Sequence, residues 1–367
     1  MSRPFALFSL VRFLLYPFAL IYGVIVWLRN RLYDSGLASS VEFSIPVICV
    51  GNLSVGGTGK TPHVEYLIRL LQYQYRVATM SRGYKRSTQG FVLADAQSNA
   101  LRIGDEPMQY HLAFPEVAVS VAEERMTGIP LLLQRRQDVE VVILDDAFQH
   151  RSVKAGMNIL ITDFSKPFYE DYILPYGRLR EGRSAYKRAH VIIVSKCPPG
   201  LSRAEAGMVK RRIAPAAGQE VFFSAIRYGH AYDLLSREPV DIKGRHIVLV
   251  CCIARPEPLV THLKETGRDV HVLSYPDHHY FYSRDMEEIQ QAYECWDVDD
   301  KIIVTTEKDA TRLLLHREQL PAMNLPVAVL PIQVEILFHE GAKLDTIVSD
   351  SVAEILAAQH DEPHTHE

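Results

Sequence analysis

Cysteine is scarce in this chain: Cys49, Cys197, Cys251, Cys252 and Cys295 are five among 367 residues. Odd in number and without a C-x-x-C pair, they fit a reducing compartment and not a disulfide framework or a zinc site. An excess of charge is lacking too, since 40 Lys and Arg stand against 44 Asp and Glu for a net charge of -4. That balance gives no global pull toward nucleic acid, so no nucleic-acid partner is expected and any anionic ligand must be met by a local patch. Internal repeats and low-complexity blocks are absent. What is present is length for two domains and, at 47% hydrophobic, enough apolar residues to give each a core.

One long apolar stretch stands out, from Pro4 to Leu28, broken by Arg12 and Pro17. A full membrane span needs about 20 apolar residues, and Phe13 to Leu28 is slightly short of that. Tyr16, Tyr22 and Trp27 suit interfacial anchoring, and Arg29 and Arg31 suit headgroup contacts. No small-x-small cleavage site follows. Residues 1–34 are therefore expected to form a retained membrane-associated helix, spanning or lying in the interface, in preference to a signal peptide or a buried core helix.

Beyond it, short β-branched runs alternate with amphipathic ones. "IPVICV", "RVATMS", "EVAVSV", "VEVVILDD", "MNILITD" and "HVIIVSK" read as strands, with "HVEYLIRLLQ" and "TGIPLLLQRRQ" among the helices between them. This is the order of an α/β fold with a mainly parallel sheet covered on both faces. The reading assigns residues 35–228 to that domain and 229–240 to a linker. A smaller α/β domain over 241–350 has strands "RHIVLVCCI", "DVHVLSYP", "KIIVTTEKD" and "PVAVLPIQVEI", and residues 351–367, ending "HDEPHTHE", read as a disordered tail.

"VGNLSVGGTGKTP" joins the first strand to a helix. A phosphate cradle needs a strand, a turn whose N–H groups point inward, a Lys for the terminal phosphates and a hydroxyl for magnesium. Gly59, Lys60 and Thr61 meet the G-x-x-x-x-G-K-[ST] spacing, although Ser54 replaces the first Gly. The nucleotide-binding set is thus Ser54, Val55, Gly56, Gly57, Thr58, Gly59, Lys60 and Thr61, with Gly56 and Gly57 expected to supply positive φ angles. "VEVVILDDAFQHR" emits Asp145 and Asp146 at a strand end, where two carboxylates call for a cation. Gln149, His150 and Arg151 follow in the same turn.

An acceptor side is offered by "IGDEPMQY", with Asp105 and Glu106, and by "SYPDHHYFY", with Asp277, His278 and His279. A carboxylate beside a His suits proton transfer from an alcohol. Two basic stretches, Arg82, Lys85 and Arg86, then Arg178, Arg180, Arg183, Lys187 and Arg188 around Glu181, suit phosphates or an anionic headgroup.

Together "GNLSVGGTGKTP", "SRGYKR", "GDEP", "LDDAFQHR", "LPYGRLRE", "RPE", "YPDHHY" and "TTEKDATRL" resemble, in unbroken order, the tetraacyldisaccharide 4'-kinases of lipid A biosynthesis. The resemblance implies an inner-membrane enzyme with its active site on the cytoplasmic side. Its fold would be a P-loop kinase core and a smaller domain that closes over the nucleotide. With ATP and Mg2+ it would phosphorylate the 4'-hydroxyl of an anionic glycolipid, a tetraacyl disaccharide 1-phosphate, without an obligate protein partner. By the same resemblance Lys60 and Thr61 serve phosphates and magnesium, Asp145 and Asp146 the metal, and Asp105, aided by His278, the acceptor hydroxyl. Arg180 and Glu181 would lie near phosphates and metal, with Glu181 as a further metal ligand, and Arg125 near the same site. Two departures, the missing Pro after "RE" and Cys252 and Ala254 in "CCIARPE", bear on loop geometry. The alternative is a membrane-tethered P-loop NTPase switch or metallochaperone, which should carry a guanine-reading N-K-x-D; "VSKCPP" and "TTEKDA" are faint echoes of it.

Overall fold

In the computed structural model, residues 3–360 are described, with side chains from 14 to 358. The first apolar runs form β1 (Val47–Gly51), β2 (Val77–Ser81), β3 (Val92–Leu93), β4 (Ala118–Val121), β5 (Val141–Asp145), β6 (Met157–Asp163), β7 (Val191–Ser195) and β8 (Glu220–Tyr228). The central strands are apolar at nearly every position because both faces are covered. Val47 and Cys49 of β1 enter one core layer with Val142 and Leu144, while Ile48 and Val50 enter the other with Val141 and Ile143. This period-two split shares each strand between two cores.

The smaller domain contributes β9 (Tyr232–Asp233), β10 (His246–Cys251), β11 (Asp269–Ser274), β12 (Lys301–Thr306) and β13 (Val327–Leu330), and the chain then returns as β14 (Ile332–Ile336). Among the described residues the larger sheet runs β14-β8-β7-β6-β1-β5-β2-β4-β3 and the smaller β11-β10-β12-β13-β9. Strands β1, β2 and β4 to β8 are mutually parallel, with antiparallel edges at β3 and β14. The order places β1 between β5 and β6, and its register sets Val50 opposite Asp145. The P-loop and the acidic strand end therefore meet at the carboxyl edge of the sheet, where such folds bind ligands.

The expected boundaries differ from the structure in three places. "PVAVLPIQVEI" is two strands in two sheets: Pro331 separates β13 from β14, which pairs with β8. The 229–240 segment contributes β9 to the smaller sheet. Finally, a helix spans Gly341–His360, so the chain remains helical beyond position 351. Its Leu344, Val348 and Val352 recur at every fourth residue and are buried with Ile159, Ile193 and Phe222 of the larger domain. The end of the tail, 361–367, lies outside the described residues.

The N-terminal helix, Arg3–Asp34, buries Ala19 and Val26 but leaves Leu14, Phe18, Ile21, Ile25 and Leu28 exposed along one face. Tyr22 and Arg29, expected at the interface and at headgroups, also dock the helix: the Tyr22 hydroxyl donates to the Arg180 carbonyl at 2.9 Å and Arg29 Nη2 to that of Gln149 at 2.7 Å. Among the described residues no helix is long and apolar enough to cross a membrane.

Candidate active site

The P-loop leaves β1 beside a close backbone approach. A Cβ on Gly51 would lie 2.6 Å from Phe148 Cβ, so only glycine admits the acidic turn here. Positive φ occurs at Gly56 and Gly59, not at Gly57 as expected. Left-handed Gly59 turns the chain directly into the helix Lys60–Leu71. Side chains from neighbouring strand ends hold the loop: Asn52 Nδ2 donates to the Ser54 carbonyl at 2.7 Å and to Thr58 Oγ1 at 2.9 Å, and Ser195 Oγ donates to the Thr58 carbonyl at 2.6 Å. Val55 N–H donates to the Arg178 carbonyl at 2.8 Å, which runs the "LPYGRLRE" stretch along the loop.

Lys60 and Arg180 converge on Asp146 Oδ1, at 3.4 and 2.8 Å. Burial raises the Asp146 carboxyl's pKa, but these two cations outweigh it and hold the group below its ordinary value. Asp145 is pushed up to about 6, first by burial and then by Asp146. Its Oδ2 accepts from Ser81 and from the Tyr110 hydroxyl, each at 3.3 Å. Its Oδ1 is buried without a hydrogen-bond partner. An orphaned carboxylate oxygen beside a second carboxylate fits a divalent cation. Among the described residues no group of three or more His, Cys, Asp or Glu could hold a metal, so phosphate oxygens and water would have to complete an octahedral shell.

The raised pKa makes Asp145 a pH-dependent cost to the fold. Its folded-state value of about 6 lies above the ordinary aspartate value of 3.8, so stability falls as pH rises from the lower value through the upper one. Asp145→Asn should raise Tm at pH 8 in metal-free buffer, and the difference should shrink by pH 5; melting curves at both pH values check this.

Glu181, expected as a further metal ligand, is held by side chains from two other segments. It is 1% exposed, and Arg188 donates to both its oxygens at 2.9 and 3.0 Å while Asn30 donates to Oε2 at 2.8 Å. In this arrangement it anchors the N-terminal helix and Arg188. Arg125 is fully buried, bracing the acidic turn through the Asp145 carbonyl at 3.2 Å. Gln149 reaches Arg180, Arg151 reaches Asp34, and His150 is held near 4 by burial and then by Arg125. In the basic stretches Arg86 pairs with Glu123 and Arg178 with Asp171, while Arg82 and Lys85 are exposed.

Asp105 opens the helix Asp105–Ala113. Its Oδ2 lies 2.7 Å from His278 Nδ1, so the two halves of the expected acceptor pair, one from each domain, meet. Tyr110 of the same helix touches Asp145, which links the acceptor pair to the acidic strand end. Burial, and then Lys308, lower the pKa of His278 and favour the neutral ring. Donation from Nδ1 to Asp105 leaves Nε2 as the acceptor, 3.4 Å from Lys308 Nζ. His279 turns away to Asp285 at 2.8 Å, and Asp277 takes Lys308 at 3.1 Å. Reading the sequence missed Lys308 and Arg312 as site residues. The available signal was their spacing of four in the helix Glu307–Leu313, which puts both cations on one face.

The profile of the family described as tetraacyldisaccharide-1-P 4'-kinase matches residues 11–353. A tetraacyldisaccharide 4'-kinase of Bacteroides thetaiotaomicron is 43% identical over 353 residues, covering 93% of each chain. One from Flavobacterium johnsoniae is 44% identical over 309 residues, covering 83% of this chain and 88% of that one. The crystal structure of Aquifex aeolicus LpxK in complex with ATP superposes with a TM-score of 0.72 at 28% identity, covering 93% of this chain and 99% of that one. In motif order, sequence and fold alike, this chain belongs to the tetraacyldisaccharide 4'-kinase family.

Proposed function

We propose that this protein transfers the γ-phosphoryl group of ATP to the 4'-hydroxyl of a tetraacyl disaccharide 1-phosphate in lipid A biosynthesis, working at the cytoplasmic face of the inner membrane. The observation that carries the reading is the meeting of Asp105 and His278 across the domain interface, beside a P-loop whose Lys60 already lies against Asp146. Lys60 and the N–H groups of Gly56 to Thr61 would bind phosphates, the Val55 N–H being taken by the Arg178 carbonyl, and Arg180 would meet charge on the transferring group. Thr61, Asp145 and Asp146 would hold Mg2+, which when bound neutralises charge on the phosphates. Asp105 and His278 would orient the acceptor hydroxyl and take its proton.

The lipid arrives along the N-terminal helix in this reading. Its exposed apolar stripe suits the headgroup and acyl boundary, and the opposite face touches Arg180 and Glu181. Replacing Ile21, Ile25 and Leu28 by Ser should release the protein from anionic vesicles in flotation assays while leaving ATP binding unchanged. Retention on vesicles would count against the interfacial role.

The activity itself is tested with γ-labelled ATP and the tetraacyl disaccharide 1-phosphate in detergent. Label should enter the lipid; lipid-independent ATP hydrolysis with no lipid product would support the NTPase-switch reading instead. That alternative has Pro198 where N-K-x-D requires its Asp.

A further inference from the structure

The Asp105 and His278 pair sits in a joint with a third member, Arg312. Arg312 and Asp105 are 1% and 2% exposed, and they come from different domains. Arg312 Nε donates to Asp105 Oδ1 at 2.8 Å, Nη2 donates to Oδ2, and Nη1 donates to the His279 carbonyl at 2.8 Å. The guanidinium also lies over the Tyr280 ring, 4.9 Å from its centroid. One turn earlier, Lys308 bridges Glu106 at 3.2 Å and Asp277 at 3.1 Å.

A carboxylate offers about four lone-pair positions. The Arg312 fork occupies one on each oxygen and His278 Nδ1 a second on Oδ2, which leaves one on Oδ1. A bidentate fork fixes the carboxylate plane as a point charge cannot. The same side chain holds the carbonyl next to His278, whose backbone sits at a positive φ of 63°. One guanidinium thus constrains both members of the pair.

We infer that Arg312 is the positioning residue of the acceptor side: reaching over from the smaller domain, it sets the plane of Asp105 and the register of the His278 loop, so that docking the domains assembles the pair. The inference deepens the kinase reading and rests on it. Burial lowers the pKa of Arg312 to about 10, which leaves it cationic at neutral pH. Arg312 acts through the pair, since besides holding both Asp105 oxygens its Nη2 lies 2.9 Å from His278 Nδ1.

The test is a double-mutant cycle on the full-length protein, with kcat for lipid phosphorylation and KM for ATP measured for wild type, Arg312→Gln, Asp105→Asn and the pair. Arg312→Gln should lower kcat about 100-fold, the scale of a misplacement by about 1 Å, and leave KM for ATP within about twofold. In the Asp105→Asn background the same change should lower kcat by less than about threefold, because its partner is already lost. Arg312→Lys, which keeps the charge without the fork, should recover about tenfold of the loss. If Arg312→Gln fails to fold, Arg312→Lys takes its place in the cycle, expected to lower kcat about tenfold in wild type and less than about twofold beside Asp105→Asn. Equal factors in both backgrounds, or an Arg312→Gln kcat equal to wild type, would overturn the inference alone. A wild type that labels no lipid would overturn the kinase reading as well.

Discussion

Asp105→Asn should leave the protein folded and able to bind ATP but lower kcat for lipid phosphorylation by about 10²- to 10⁴-fold, the range for a lost proton-transfer group. Asn keeps the shape of the side chain that opens the helix Asp105–Ala113 and so keeps Tyr110 beside Asp145. What it removes is the negative charge that holds His278 Nδ1. None of the polar partners of Asp105 lies in the P-loop: they are His278 and Arg312 of the smaller domain. KM for ATP should therefore stay within about twofold, the pattern of an interaction made at the chemical step. Initial rates of label transfer at varied ATP measure both constants. A matching rise in KM for ATP would show that Asp105 serves the nucleotide. Asp105→Ala is the harsher change, because it leaves Arg312 buried without its carboxylate; breaking such a pair costs about 3–5 kcal/mol, and Tm should fall with it.

Lys60→Ala should act on the other substrate. Losing one preorganised cation at the phosphates is expected to lower kcat/KM for ATP by about 10²- to 10³-fold. The fold should survive, because Arg180 still holds Asp146 at 2.8 Å and the P-loop backbone keeps its contacts with Asn52 and Ser195. Calorimetric titration with ATP, beside the same rate assay, separates the outcomes. Unchanged ATP affinity in Lys60→Ala would contradict the division of the site into a donor half and an acceptor half.

The donor half was legible because it is local. Strand, Gly-rich turn, Lys60 and Thr61 follow one another within a few residues, and Asp145 and Asp146 end an apolar run, so spacing alone singled out the segments that the sheet brings side by side. The glycine assignment was less accurate: Gly59, at the helix start, takes the left-handed conformation that had been expected of Gly57. Turn geometry depends on what the loop wraps, here Ser195 and Asn52, which are distant or neutral in the sequence pattern.

Glu181 shows the opposite limit. The resemblance implies a metal-ligand role for Glu181, and in this structure its carboxylate accepts from Arg188 and from Asn30 of the N-terminal helix. Which cation claims a carboxylate is set by three-dimensional neighbours, 151 positions apart for Asn30. The C-terminal helix went unread for a related reason. Its apolar stripe of Leu344, Ile347, Val348, Val352 and Leu356 is covered by the larger domain, which is distant in the chain.

From its sequence alone, this protein is an α/β chain with a phosphate cradle, an acidic strand end and two separated segments suited to an acceptor; each is a short-range pattern set by backbone geometry and residue chemistry. Only the tertiary structure decided that Asp105 and His278, 173 positions apart, form one pair and that Arg312 clamps it. It also returned β14 and the last helix to the larger domain. Such choices depend on which buried charge finds which partner and which apolar face finds cover, and those energies exist only once the domains are packed together.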